Sequence, residues 1–509
     1  MAWPWSKMSS GVVMMNGSGG VELVPLFAEE IRIKLKWGET NVVNLLWLKD
    51  VGEATAVFTE MIMKKFNPLF VFLLGVLIRT LCLFLLYISV IGLGGIGSPL
   101  WSIYMLSFLC VVAETTAKTA IENILVLEFF STKELVLLIL RASSNLSGSL
   151  VTSVYQAANP TVDGGSSSII LIQTIISLLT SLPGSVLLIA RHFHNAVELK
   201  PKKPTSTLIK YALMSSALVT VIFVGSHIRE HSVQIATAAL ACVLGIAPLY
   251  IGYRIEQHEQ LNSVEAEQEE QVIRPVYNYN FWRSFFSIEF GLILLGSCIA
   301  LSSTTSAMDF VAQILESFSI KTNKLGILLS QMCVSSFFGR VSLLFFSEYM
   351  VHKFNVVRSY LFFPLLLLSF FSLIFIAYPF SSNFSIVSIS FMVISYTNGA
   401  LWQLVALILR DFFKDKSFLL FYILKFFIPV CTYFIKIKFI SHFYQTSVLE
   451  NNPSFTKNVI SDLSCIGYNC FRKSFLILSL SSLLSILSWA FYCKRERRLD
   501  RTYSKFVRL

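Results

Sequence analysis

The chain has 509 residues, of which 55% are hydrophobic and 14% charged, with 44 Phe and a mean hydropathy of +0.67. A soluble domain of this length cannot bury so much apolar surface in a core of its own, which excludes a water-soluble globular protein. The net charge of +11 gathers at the ends of apolar segments, so it reads as positive-inside bias and not as a nucleic-acid footprint.

Fourteen apolar segments have the length needed to cross ~30 Å of hydrocarbon as helices, in a six, two, six arrangement. The first six are 10–28, 41–63, 68–93, 100–122, 135–157 and 168–190, followed by a polar link. Two more, 207–225 and 235–253, form a pair, and the acidic, Gln-rich stretch 256–272 reads as a solvated loop. The last six are 281–307, 325–350, 359–380, 384–409, 418–440 and 471–493. The predicted domains are therefore a six-helix bundle over 1–190, a central connection over 191–280, a second six-helix bundle over 281–493 and a basic tail over 494–509. The first two spans are the least regular. Segment 10–28 is Gly-rich and short of Leu and Ile, and 41–63 holds Lys49, Asp50, Glu53 and Glu60. A charge at mid-bilayer costs on the order of 3 kcal/mol, so these residues must face protein or water if the segment spans.

Loop charge sets the orientation. With the N-terminus in the cytosol, Lys64, Lys65, Lys200 to Lys203, His352, Lys353, Arg358, Arg410, Lys414, Lys416 and the tail are cytosolic. The opposite gaps at 94–98, 159–167 and 381–383 carry little or no charge; 29–39 and 227–231 are exceptions. No cleavable signal peptide is evident at the start. The expectation is an all-α, polytopic membrane protein whose surroundings are the lipid bilayer, with the identity of the membrane left open.

Several residues are candidates for chemistry. Glu114, Lys118 and Glu122 fall at i, i+4 and i+8, on one face of the fourth span. Three charges on one face cannot meet lipid, so they line either a substrate pathway or an internal salt-bridge ladder. Arg79, Arg141, Glu289, Asp309 and Gln403 are isolated polar groups in or near apolar runs, each a pathway candidate or a structural hydrogen-bonding group. Gly339, Arg340, Glu348 and Lys353, with His352 and Arg358, sit at the junction of the tenth and eleventh spans. The glycine permits close helix approach, and charges that pair and unpair suit a conformational switch. Cys465 and Cys470 are the cysteines in a polar segment; a disulfide and free thiols both fit their spacing. His227-x-x-Glu230-His231 has a zinc-peptidase spacing, but it makes a tight link between two spans with no further ligand, so no metal is expected. Asn16-Gly-Ser and Asn383-Phe-Ser match the glycosylation pattern but lie close to the bilayer. There is no phosphate loop, Cys-x-x-Cys pair or nucleophile elbow, and neither an enzymatic activity nor a cofactor is expected.

Six helices, a connection and six more is the layout of the major facilitator superfamily. The motifs resemble those of its plant nodulin-like family, including the nuclear-fusion-defective subgroup. Phe281-Trp282 resembles that family's Phe-Trp, and Phe338-Gly339-Arg340 followed by Ser347-Glu348-Tyr349 its Gly-Arg…Ser-Glu. Tyr396-Thr397-Asn398-Gly399-Ala400 with Trp402, Pro429 with Tyr433, and His442-Phe443-Tyr444 resemble further segments. The segment from Cys465 through Cys470-Phe471 into Ser474-Phe475-Leu476-Ile477 matches best. In the N-terminal half, Leu146-Ser147-Gly148, Thr152 to Tyr155 and Asp50-Val51-Gly52 are similar to family motifs. There Glu53 replaces a Lys, Arg141 stands where a Lys is usual, and Glu128-Phe129-Phe130-Ser131 replaces Arg-Asn-Phe-Pro. The resemblance implies a two-bundle fold and a secondary transporter that moves a small-molecule solute by alternating access. The departures in the N-terminal half leave open a transport-incompetent paralogue acting as a membrane receptor or scaffold.

Overall fold

The structure is a computed structural model that describes residues 4–91, 99–129, 132–158, 168–192, 204–227, 231–261, 281–320, 323–378, 384–413, 416–451, 467 and 469–506. Every regular element among them is helical. Two compact units divide the chain: Met1–Arg274 with Lys321–Phe337, and Pro275–Ile320 with Phe338–Leu509.

The first unit opens with α1 (Pro4–Asn16), a 3-10 turn (Val21–Leu23) and α2 (Val24–Leu35). It continues with α3 (Glu39–Ala54), α4 (Ala56–Met63), α5 (Pro68–Ile91), α6 (Leu100–Glu128) and α7 (Lys133–Ala158). α8 (Ser168–His192), α9 (Pro204–His227), α10 (His231–Ile246) and α11 (Pro248–Leu261) complete it. In the second unit are α12 (Phe281–Phe285), α13 (Ile288–Asp309) and α14 (Val311–Ser317). Next comes α15 (Asn323–Phe354), whose start counts with the first unit. α16 (Phe362–Ala377), α17 (Phe384–Phe413) and α18 (Ser417–Thr432) follow, then a π-helix (Tyr433–Ile440), α19 (Ser441–Asn451) and α20 (Asn469–Phe506).

Thirteen helical stretches among the described residues are long and apolar enough to cross a membrane. Their side chains are sorted as lipid requires. On α5, Phe70, Leu74, Leu77, Leu81 and Phe84 are exposed, while Phe72, Gly75, Arg79, Leu83 and Leu86 are buried. On α20 the exposed row is Leu480, Leu484, Leu487 and Phe491, and the buried row is Ser482, Ser485, Trp489 and Tyr492. Large apolar groups face out because hydrocarbon tails are as apolar as they are; small and polar groups face in, where backbones approach and hydrogen bonds form. Ser485 Oγ donates to Gly296 O at 2.7 Å and Ser488 Oγ to Leu292 O at 3.0 Å, stitching α20 to α13. Trp489 fills the space left by Gly296 and stacks on Phe362 at 3.5 Å between centroids.

Two expectations change. The second expected span, 41–63, is two helices meeting at Thr55, whose hydroxyl bonds Gly52 O at 2.6 Å, and its charges keep it out of the apolar set. Those charges face protein: Lys49 and Asp50 are buried, and Asn123 on α6 donates to Glu60. The stretch 256–272 does not begin as a loop, because α11 carries the helix through Leu261 before the described residues end. The tail is likewise helical to Phe506, a continuation of α20. The central pair of spans packs within the first unit: Tyr211 bonds Ser9 (2.6 Å), Gly252 abuts Trp5 and Ser9, and Asn16 donates to Gly245 O (3.1 Å).

Candidate functional site

The glycines that made the first span irregular have a packing cause. Between α1 and α2 the helix is interrupted at 17–20, and three glycines there admit neighbours that any side chain would strike. A Cβ at Gly17 would collide with Thr180, one at Gly19 with Ser147 and the Gly148 amide, and one at Gly20 would lie 2.6 Å from Glu114 Oε2. An interrupted membrane helix leaves free backbone and polar side chains within the span, which is tolerated where they face protein or a cavity.

Glu114 on α6 is fully buried. Its Oε1 receives Lys118 Nζ at 2.7 Å and, more weakly, Val21 N at 3.4 Å, while Oε2 has no partner. Across from it, Gln173 on α8 is also fully buried, with neither amide atom bonded. Arg79 on α5 donates to Ser177, one turn along α8 from Gln173, and its Nε is unpartnered. Glu122 does not extend the Glu114–Lys118 pair. It turns to α7, where Arg141 grips it with Nε at 3.2 Å from both oxygens and Nη2 at 2.8 Å from Oε2. The single ladder expected from i+4 spacing is thus two separate pairs.

In the second unit the acidic candidates Asp309 and Glu289 are closed into ion pairs. Asp309, at the end of α13, meets Lys436 Nζ at 2.5 Å, and both are buried. Lys436 lies in the π-helix, just past Pro429, which cannot donate to the carbonyl one turn earlier; wider turns are one way such a defect is absorbed. Glu289 in the first turn of α13 pairs with Arg495 of α20 at 2.5 Å. Gln403 is buried on α17.

The junction motif is partly rearranged from the expected set. Gly339 lets α15 contact the Tyr396 carbonyl of α17, and a Cβ there would strike that oxygen. Glu348 is bonded by Arg358 Nη2 at 2.6 Å, with His352 (3.6 Å) and Arg410 (3.8 Å) beside it; Arg358 also pairs with Asp411. Lys353 is not in this cluster. It is exposed, donates to Tyr349 OH at 2.7 Å and lies over the Tyr349 and Phe354 rings. Arg340 is half-buried on the same helix. The residue at the centre is Arg358, buried at the start of the next span.

Cys470 is disulfide-bonded, and Cys465 lies outside the described residues. Cys82, Cys110, Cys242, Cys298, Cys333, Cys431 and Cys493 are free thiols. The His227 to His231 motif runs through 228–230, outside the described residues, as does Asn383. Asn16 is buried and bonded to Gly245 O, so its glycosylation pattern is sterically closed.

Residues 4–252 match the profile of the Nodulin-like family, just under half of the chain. No curated protein matches it. Solved structures of similar fold include a bacterial homologue of the human drug peptide transporters PepT1 and PepT2, with a TM-score of 0.55 and 12% identity, covering 98% of this chain and 100% of that one. Tetrameric PepTSo2 gives a TM-score of 0.56 and 12% identity, covering 98% and 100%. A proton-dependent oligopeptide family transporter gives 0.54 and 11%, covering 96% and 100%. The protein is a multi-pass membrane protein with the fold of secondary transporters. Sequence motifs put the stronger nodulin-like resemblance after Phe281, whereas the profile match falls on the half whose motifs depart more.

Proposed function

We propose that the chain is a secondary transporter of small solutes working by alternating access, of the nuclear-fusion-defective-like kind within the nodulin-like family. The observation that carries the reading is the Glu114–Lys118 pair, its carboxylate fully buried, beside an interrupted first span, in a chain whose fold is that of secondary transporters. Ionisable groups are retained inside membrane spans at a cost, and their usual return is a pathway for polar solute. The motifs at Gly339, Glu348, Tyr396 and Cys470 support the finer family placement. In this reading Glu122, Arg141, Glu289, Asp309 and Gln403 hold the pathway in shape, and Gly339, Arg340, Glu348 and Lys353 flank the segment that switches. No bond is made or broken in the solute, and both termini face the cytosol.

The test is flux. Purified protein in proteoliposomes should accumulate or exchange members of a broad solute panel. Glu114→Gln should alter the pH dependence of that flux while leaving surface expression intact. Absence of flux for every solute, from well-folded protein, would favour the receptor or scaffold reading. Unchanged flux at every pH in Glu114→Gln would return this face to a structural role.

A further inference from the structure

Arg79 stands out among the buried cations because it has no carboxylate. Its side chain is 2% exposed, on the protein-facing side of α5, four residues after Gly75, where α5 and α6 pack closely. Its hydrogen bond goes to a neutral hydroxyl, that of Ser177, and its Nε goes to nothing. A guanidinium stays charged in any protein environment, so neutralisation by proton loss is not available to it. Glu114 is within electrostatic range, yet that carboxylate already holds Lys118 at 2.7 Å. Glu22, on the turn before α2, has its Cβ against Gly148. Arg79, Lys118 and Glu114 together leave one positive charge over; Arg79 and Glu114 are buried and Lys118 is partly exposed. One helix turn from Ser177 on α8, Gln173 presents a fully buried amide with both atoms unbonded.

We propose that Arg79, Ser177 and Gln173 form a binding site for a small oxyanion, a carboxylate or phosphate group of the solute. Arg79 offers the planar donor fork that binds two oxygens of such a group at once, and Nε is one of its tines. The Gln173 amide donates to a further oxygen, and its carbonyl with Glu114 Oε2 accepts from hydroxyl or ammonium groups elsewhere on the same molecule. The inference rests on the transporter reading for its biological meaning, but the site is a claim about binding and is tested without flux.

The experiment measures thermal stabilisation of the purified full-length protein by lactate, succinate, inorganic phosphate and glucose. Carboxylate, phosphate or both should raise the melting temperature in a saturable manner and glucose should not; which anion acts distinguishes the two sources of the group. Arg79→Gln should abolish the response without lowering the melting temperature of the ligand-free protein, because it removes an unpaired charge. Gln173→Leu should fold normally and weaken half-saturation by about tenfold or more, the scale of one lost hydrogen bond to a charged group. No response to any anion, an equal response to glucose, or an anion response that survives in Gln173→Leu and Arg79→Gln overturns the site. If Arg79→Gln does not fold, Gln173→Leu decides alone. Anion stabilisation without flux would sink the transport reading and leave the site standing. Flux of neutral solutes without anion stabilisation would do the reverse.

Discussion

The two units handle buried charge in different ways. In the second, the buried charged candidates sit in ion pairs, Asp309 with Lys436, Glu289 with Arg495, and Arg358 between Glu348 and Asp411, although Arg358 Nε itself is unbonded. In the first, Arg141 closes on Glu122, but Arg79 Nε, Glu114 Oε2 and both Gln173 amide atoms are left unbonded around the interrupted first span. Closed pairs cost desolvation and return geometry, so they suit a frame or a latch. Unbonded groups cost about 1–3 kcal/mol each and are retained where a ligand completes them. On the reading proposed above, holding falls to the second unit and recognition to the first.

The largest expected effect lies in the closed unit. Lys436→Met removes a fully buried cation and its ion pair with the buried Asp309, with a loss of about 3–5 kcal/mol. Replacing both partners, Asp309→Leu with Lys436→Met, should restore most of that stability, because two apolar side chains need no pairing. Thermal unfolding of the single and double variants checks it. A double variant as unstable as the single would mean that the pair holds something other than itself. Chemistry in the pathway is a separate readout, and flux lost in a stable double variant would add a functional role to the structural one.

A second comparison uses glycines. Gly19→Ala places a methyl group against Ser147 and the backbone nitrogen of Gly148, which cannot yield, and should cost about 1–3 kcal/mol. Gly291→Ala on α13 meets nothing within 4 Å and should be neutral or stabilising by up to about 1 kcal/mol, the helix preference of alanine. Equal melting temperatures for the two variants would show that the interruption of the first span is loosely packed and does not position Glu114.

Much of the architecture was legible because lipid imposes it. Apolar runs of spanning length and the charge of the gaps between them locate most helices to within a few residues. Burial within a span was less legible. The i+4 spacing of Glu114, Lys118 and Glu122 shows a shared face but not that Arg141, nineteen residues on from Glu122, would draw it away from the ladder. Lys436 and Asp411 were missed, though a lysine eleven residues after Lys425 inside the span 418–440 was a signal in itself. Gln173 was missed because an uncharged amide in an apolar run is ordinary; only its fully buried, unbonded state sets it apart. The glycines at 17, 19 and 20 read as weakness in a helix when they are close contacts, since sequence carries no record of what approaches a missing Cβ.

The smallest effect sharpens the contrast inside the junction motif. Lys353 belongs to the motif by position, but its ammonium is exposed and bonds Tyr349 one turn back on the same helix. Such a group is hydrated before and after folding, so Lys353→Ala should change stability by no more than about 0.5 kcal/mol. Arg358→Ala leaves Glu348 and Asp411 without their shared cation, with Arg410 beside both and His352 beside Glu348. Its own side chain is buried, so the loss should be several times larger and should shrink when Asp411→Asn is added. Melting temperatures of the four proteins decide between two accounts of the motif. If Lys353→Ala matches Arg358→Ala, the switch runs along α15 as its residue order suggests. If the two separate as expected, the switch is the meeting of α15, the start of the next span and the end of α17 at one guanidinium.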